Sequence, residues 1–293
     1  MPDWTQYAFM FPVAILVATA AVLSGVGGAT LFVPIFVIGF PLLGPEFPLS
    51  TPASIGAALL TATFGFASGF VGYYRKGLID FGSALPFIVV AAPVAVAGGL
   101  LLGLMREHEL TLKAIYAGLM LALCPFVLFR GRRTADGDPP APALSRGERR
   151  VVAADGTVYR YAGPRLDAPG ALFTATGAFL TGLLGVGIGE TVVPQLVRRH
   201  RIPVAVAAAT SVFVVIATIA SASTTQIVAL MATGGTDAVP WHLVVYTVPG
   251  VLIGGQLGPW LQGRIPSRSV ERGIAVLFAV IGVAMGWSVA EAL

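Results

Sequence analysis

Residues 24–34 read SGVGGATLFVP and residues 184–194 read LGVGIGETVVP. At one constant offset of 160 positions, Gly25 meets Gly185, Gly27 meets Gly187 and Pro34 meets Pro194. Each motif lies inside an apolar run of about 28 to 33 residues, too long for one span of a hydrocarbon core about 30 Å thick and too short for two. Gly lowers helix stability by about 1 kcal/mol relative to Ala and Pro by about 3, so a helix that enters either motif is expected to break there.

The chain around the motifs is membrane-like. Of its 293 residues, 56% are hydrophobic and only 11% charged, with a mean hydropathy of +0.85, against about 25% charged in soluble domains. Apolar runs fall at roughly 7–40, 52–74, 82–105, 112–129, 170–197, 203–231, 240–262 and 269–290, in two sets of four. This pattern excludes a soluble enzyme and a disordered scaffold, and the runs are continuous rather than alternating as a β-barrel requires. The formal +4 charge and pI near 9.5 therefore report membrane orientation rather than nucleic-acid binding. Cys124 stands alone, so no intramolecular disulfide is possible. His108, His200 and His242 have no ligand spacing, and no metal or other cofactor is expected. Met1, Pro2, Asp3 and Trp4 provide no basic leader, so the first apolar run is expected to stay in the mature protein.

The two sets align beyond the motifs. Ser54 pairs with Ser211, Thr61 with Thr218, and APVAVAGG at 92–99 with VPGVLIGG at 248–255, the offset drifting from 160 to 157 to 156 as loop lengths change. Residues 1–129 and 169–293 thus form two repeats, a hallmark of secondary transporters. Residues 130–168 are a polar linker carrying Arg130, Arg132, Arg133, Arg146, Arg149 and Arg150 and the prolines 139, 140 and 142. Within it, Val151 to Tyr161 alternates around Asp155-Gly156, a two-residue turn signal. A small β-hairpin on the membrane surface and a tether without structure are both compatible with this stretch.

Counting cations decides how the interrupted runs are threaded. If they cross, each repeat has four spans, and the 18 Lys/Arg divide almost evenly between the two faces. If they turn back, each repeat has three full spans and the linker, residues 75–80, 198–201 and 264–272 share one face, leaving only Arg106 and Lys113 on the other. The second arrangement obeys the positive-inside rule. It puts the linker in the cytoplasm and both termini outside. The expected fold is an all-α integral membrane protein of two inverted repeats, each a re-entrant broken-helix hairpin plus three transmembrane helices.

Non-helical backbone at membrane depth is tolerated where it is buried in protein or lines a wet cavity, so a cavity is expected at the breaks. A helix restarting after Gly27-Gly28, or after Gly187-Ile188-Gly189, presents unpaired N–H groups whose dipole favours an anion by about 0.3–1 kcal/mol. The substrate-binding residues expected from this are Ser24, Gly25, Gly27, Gly28, Thr30, Ser54, Gly185, Gly187, Gly189, Gln195, Thr210 and Ser211, with Thr61 and Gln226 as further neutral donors. The glycines also fit a second role, close helix packing, and the Ser and Thr residues can bond their own backbone. Glu190 is the one carboxylate placed deep in a membrane run. Charges there cost about 2.5–3.5 kcal/mol, so burial would disfavour its charged form and let it carry a proton. Its alternative role is to stabilise its own helix N-terminus.

The paired Gly-rich motifs ending in Pro, the TPAS (51–54) and AATS (208–211) stretches and the Gly77-Leu78-Ile79-Asp80 turn resemble the sulfite exporter TauE/SafE family of bacterial membrane proteins, across nearly the whole chain except the linker. The resemblance implies secondary transport of sulfite or a related sulfur-containing or organosulfonate anion, outward across the bacterial inner membrane. The chain departs from the family pattern at Ile188-Gly189-Glu190, where further small or apolar residues are usual, and in its long linker. A small anion, protons and lipid are the partners expected, and nucleic acid is not. A passive anion channel and a carrier of a non-sulfur organic acid use the same features. An enzyme is disfavoured, because the chain has no HExxH, no paired catalytic carboxylates and no nucleophile beside a base.

Overall fold

The computed structural model describes residues 4–39, 50–133, 148–265 and 267–291. The helices are α1 (Trp4–Ser24), α2 (Ala29–Pro34, continued by wider turns over Ile35–Gly39), α3 (Thr51–Arg75), α4 (Phe81–Leu104) and α5 (Glu109–Arg133), followed by α6 (Ala168–Leu184), α7 (Ile188–Pro194, continued over Gln195–Arg199), α8 (Val204–Gly234), α9 (Trp241–Leu261) and α10 (Ser267–Ala290). Between the sets, β1 (Glu148–Val152) pairs antiparallel with β2 (Val158–Ala162), so the alternation around Asp155-Gly156 is a hairpin. Four described helices are long and apolar enough to cross a membrane: α3, α4, α8 and, from Arg272, α10. Their outward faces carry exposed apolar side chains such as Leu85, Val89, Val276, Val280 and Val283, as a lipid-facing surface requires.

Local chemistry fixes the helix starts. Ser50 caps α3 by accepting from the Ala53 N–H, Asp80 caps α4 through Ser83, and Asp167 caps α6 through Gly170, each side chain taking an N–H that has no partner within its helix. The breaks fall on the glycines rather than on the prolines. Gly25 (φ +70°) ends α1, and Gly185 (φ +79°) and Gly187 (φ +136°) bound the second break, conformations that cost an L side chain dearly. Pro34 and Pro194 instead lie inside the returning helices, just ahead of the widened turns.

Both interrupted segments double back. In the second, Asp167 pairs with Arg199 and Gln195 Nε2 donates to Thr174 Oγ1, bonds that join the two arms of the α6/α7 hairpin. In the first, Gly39 returns beside the Phe9 ring. The helix pairs exchange between the halves: α1 lies on α9 as α6 lies on α4, α3 on α9 as α8 on α4, while α3 packs on α8 and α5 on α10. Small residues let these crossings close. A Cβ at Gly182, for instance, would fall 1.9 Å from the Ala95 carbonyl oxygen.

Contacts at the two ends of the bundle fix helix direction. At one end, Lys76 beyond α3 donates to the Pro259 carbonyl near the end of α9, and the Asp80 N–H at the start of α4 donates to Thr210 near the start of α8. At the other, Arg106 beyond α4 reaches Thr233 near the end of α8, and the Thr51 N–H at the start of α3 donates to Glu109 at the start of α5. The start of α4 and the end of α9 therefore share an end of the bundle, and these two helices run in opposite directions.

Candidate functional site: the junction of the two hairpin tips

The Gly-rich breaks meet. A Cβ at Gly189 would lie 2.0 Å from the Gly25 carbonyl oxygen, and one at Gly25 would lie 2.7 Å from Val193. The reciprocal contacts hold as well, since a Cβ at Gly185 would lie 3.1 Å from Ala29 and 3.8 Å from Val33. At the offset of the motifs 25 matches 185, 29 matches 189 and 33 matches 193, so matching positions exchange contacts across the junction. The two tips touch through backbone at these positions.

Glu190 lies at this junction, 1% exposed. Its Oε2 accepts the Gly187 N–H at 3.2 Å, and its Oε1 accepts from Thr30 Oγ1 at 3.3 Å. Thr30 is the residue that matches Glu190 in the other half at the offset of the motifs, so this bond joins matching positions of the two hairpins. The adjacent Ile188 N–H is taken by Thr181 Oγ1 at 2.8 Å. The carboxylate thus caps its own helix and also binds the opposite hairpin.

The expected site residues divide. Gly25, Gly27, Gly28, Thr30, Gly185, Gly187, Gly189 and Glu190 are all buried in the α1/α2 and α6/α7 turns. Ser24 bonds its own helix at Ala20 and accepts the Val26 N–H, steadying the first turn. Ser211 Oγ lies 2.9 Å from where a Gly25 Cβ would be and donates to Ala208. Ser54 is fully buried, and its hydroxyl has no partner among the described residues. Gln195 and Thr210 are engaged away from the tips, with Thr174 and with the Asp80 N–H. Thr61 bonds Thr247 at 2.9 Å, and Gln226 donates to the Gly99 carbonyl.

Sequence reasoning missed Tyr116. Pro34 has no N–H, so the Thr30 carbonyl four residues earlier loses its helical donor; the Tyr116 hydroxyl supplies one at 2.6 Å. Tyr116→Phe should cost about 1–3 kcal/mol by leaving that buried carbonyl unpaired. A thermal melt of the variant within error of the parent would remove Tyr116 from this role.

A second polar node was also missed. At the end of the bundle that bears the β-hairpin, buried Asp80 accepts from Tyr161 at 2.8 Å, from Arg149 at 2.8 Å and from the Ser83 N–H and hydroxyl. Burial works against its charged form, but the bonds from Ser83 and Tyr161 and the Arg149 guanidinium together hold its carboxyl below the usual aspartate range. The hairpin is thereby docked on the turn between α3 and α4, where the Ala154 N–H also donates to the Lys76 carbonyl. Because the folded value is depressed, the docking stability is fully present above about pH 4 and is lost as pH falls through the folded value. Protection of the Ala154 amide, taken relative to an unprotected amide at the same pH, should accordingly be high at neutral pH and fall in strong acid. Asp80→Asn should lower it at pH 7, and unaltered protection there would show that docking does not need the carboxylate.

A model of the sulfite exporter TauE/SafE family matches residues 10–285. Over 278 residues the chain is 22% identical to the probable membrane transporter protein YunE of Bacillus subtilis (strain 168), an alignment that covers 94% of this chain and 96% of that protein. No solved structure matches. Paired Gly-rich hairpins in an apolar helical bundle and a family match over nearly its whole length lead to one statement: the chain belongs to the sulfite exporter TauE/SafE family of membrane transporters.

Proposed function

We propose that this protein is a secondary transporter that exports a small anion, sulfite or a related organosulfonate, across the bacterial inner membrane by alternating access. In this reading, residues 1–129 and 169–293 are inverted repeats, the 130–168 linker is cytoplasmic, both termini lie outside and the hairpins enter from opposite faces. The opposed directions of α4 and α9, together with the cation distribution, support that orientation.

The observation that carries the reading is the Gly187 N–H holding a carboxylate inside the bundle. An oxyanion already sits where the helix N-terminus would bind substrate, and it is tethered there by the protein itself. Substrate and the Glu190 carboxylate compete for the same donors. A displaced carboxylate at this depth is costly, so it takes up a proton as the anion enters; because the two then move together, export runs down the outward gradient of the anion itself and is not driven by proton entry. Separation of the touching tips, first toward one face and then the other, gives access. Neutral donors keep the binding weak enough for release.

The test is transport by reconstituted protein of sulfite, sulfate, thiosulfate and small organosulfonates, with and without a proton gradient. A carrier shows saturable uptake accelerated by anion on the far side. Uptake linear in concentration and indifferent to trans anion would indicate a channel, and no flux of any of these anions would reject sulfur-anion transport.

A further inference from the structure

We infer that the cleft between the C-terminal ends of α3 and α9 binds the phosphate of an anionic membrane phospholipid. The cleft, about 420 Å³, is lined by Gly72, Arg75, Lys76, Gln256, Pro259 and Trp260. Arg264 stands at its edge, its guanidinium carbon 3.9 Å from the centre of the Trp260 ring. Three cations therefore surround one opening that no carboxylate lines, and none of the three forms an ion pair among the described residues. Burial, then the Arg264 charge, depresses the Lys76 amine, with only the exposed Asp155 opposing. Cations are crowded here at a cost that a bound anion would relieve.

Helix C-termini attract cations, and Lys76 serves that role by donating to the Pro259 carbonyl. This accounts for Lys76 alone. Arg264 lies beyond α9 and is held by the indole face instead. Trp260 and Tyr74 are 54% and 62% exposed, the amphipathic aromatics that mark the headgroup level. Deeper along the same helical faces, at the spacings i−4 from Arg75 and i−7 from Trp260, Val71 and Ile253 are exposed apolar residues. A phosphodiester in the cleft would lay its acyl chains along them. Basic pockets between membrane helices on the cytoplasmic side suit such headgroups, and the site is separate from the hairpin tips.

The experiment uses full-length protein with Trp4, Trp241 and Trp287 changed to Phe, so that Trp260 alone fluoresces. It is reconstituted in phosphatidylcholine containing 10 mol% of either dibromo-phosphatidylglycerol or dibromo-phosphatidylcholine. The anionic lipid should quench Trp260 at least twofold more than the zwitterionic one. The preference should weaken as salt is raised and vanish in R75Q/R264Q, while R75K/R264K keeps it. Equal quenching by the two lipids in the unsubstituted cleft would overturn the proposal. So would loss of the preference on adding millimolar inorganic phosphate at constant ionic strength, which would assign the cleft to a soluble anion.

Discussion

Glu190→Gln should leave the fold intact and flatten the pH dependence of transport. The side-chain amide oxygen of the substituted residue can still accept the Gly187 N–H that Glu190 Oε2 now accepts, so the cap survives. What disappears is the group that takes a proton when an anion displaces it. If one proton accompanies each anion, apparent affinity in the parent should change about tenfold per pH unit across the range in which Glu190 is ionised, tighter at lower pH, whereas the variant should be nearly level. Counterflow of a radiolabelled alkanesulfonate, whose own charge does not change between pH 6 and 8, reads this without a contribution from the substrate's protonation. A variant that keeps the parent's slope would place proton coupling elsewhere and leave Glu190 as a cap alone.

Gly189→Ala should abolish transport and strongly destabilise the protein. The added methyl would sit 2.0 Å from the Gly25 carbonyl oxygen and 3.0 Å from the Gly27 nitrogen. Both are backbone atoms of the opposite hairpin, so no side chain can swing aside. Overpacking costs typically about 1–3 kcal/mol and occasionally more, and a backbone obstacle lies at the upper end. Gly103 is the control, since nothing lies within 4 Å of a Cβ there and it sits inside α4. Gly103→Ala should be neutral or stabilise by about 0.4–1 kcal/mol. Equal melting temperatures for the two variants in detergent would mean that the tips are not tightly joined.

Much of this architecture is legible in the sequence because a bilayer imposes continuous apolar runs, and because Gly at two matched positions leaves few options for the backbone. The runs match the helices to within a few residues, and Asp155-Gly156 marks the hairpin turn. The prolines mislead. Their cost is real, but Tyr116 compensates Pro34 from a helix more than eighty residues away, and in a run of apolar residues a tyrosine carries no sign of its partner. Asp80 presents the same difficulty, since Arg149 and Tyr161 approach it only when the linker folds back. Gln195 and Thr210 look like donors facing the breaks, yet Gln195 Nε2 donates to Thr174 and Thr210 Oγ1 accepts the Asp80 N–H. A backbone break in lipid needs partners, and at the second break Glu190 and Thr181 accept the Gly187 and Ile188 N–H groups, a pairing that spacing along the chain does not announce.

Opposite entry of the two hairpins is best tested by single-cysteine labelling. With Cys124 changed to Ala no native thiol remains, and Ser50→Cys and Arg165→Cys each report a site where one hairpin joins its surface loop. A membrane-impermeant maleimide added to sealed right-side-out vesicles should label the Ser50 variant at once and the Arg165 variant only after lysis. Labelling of both from the same face would contradict the account.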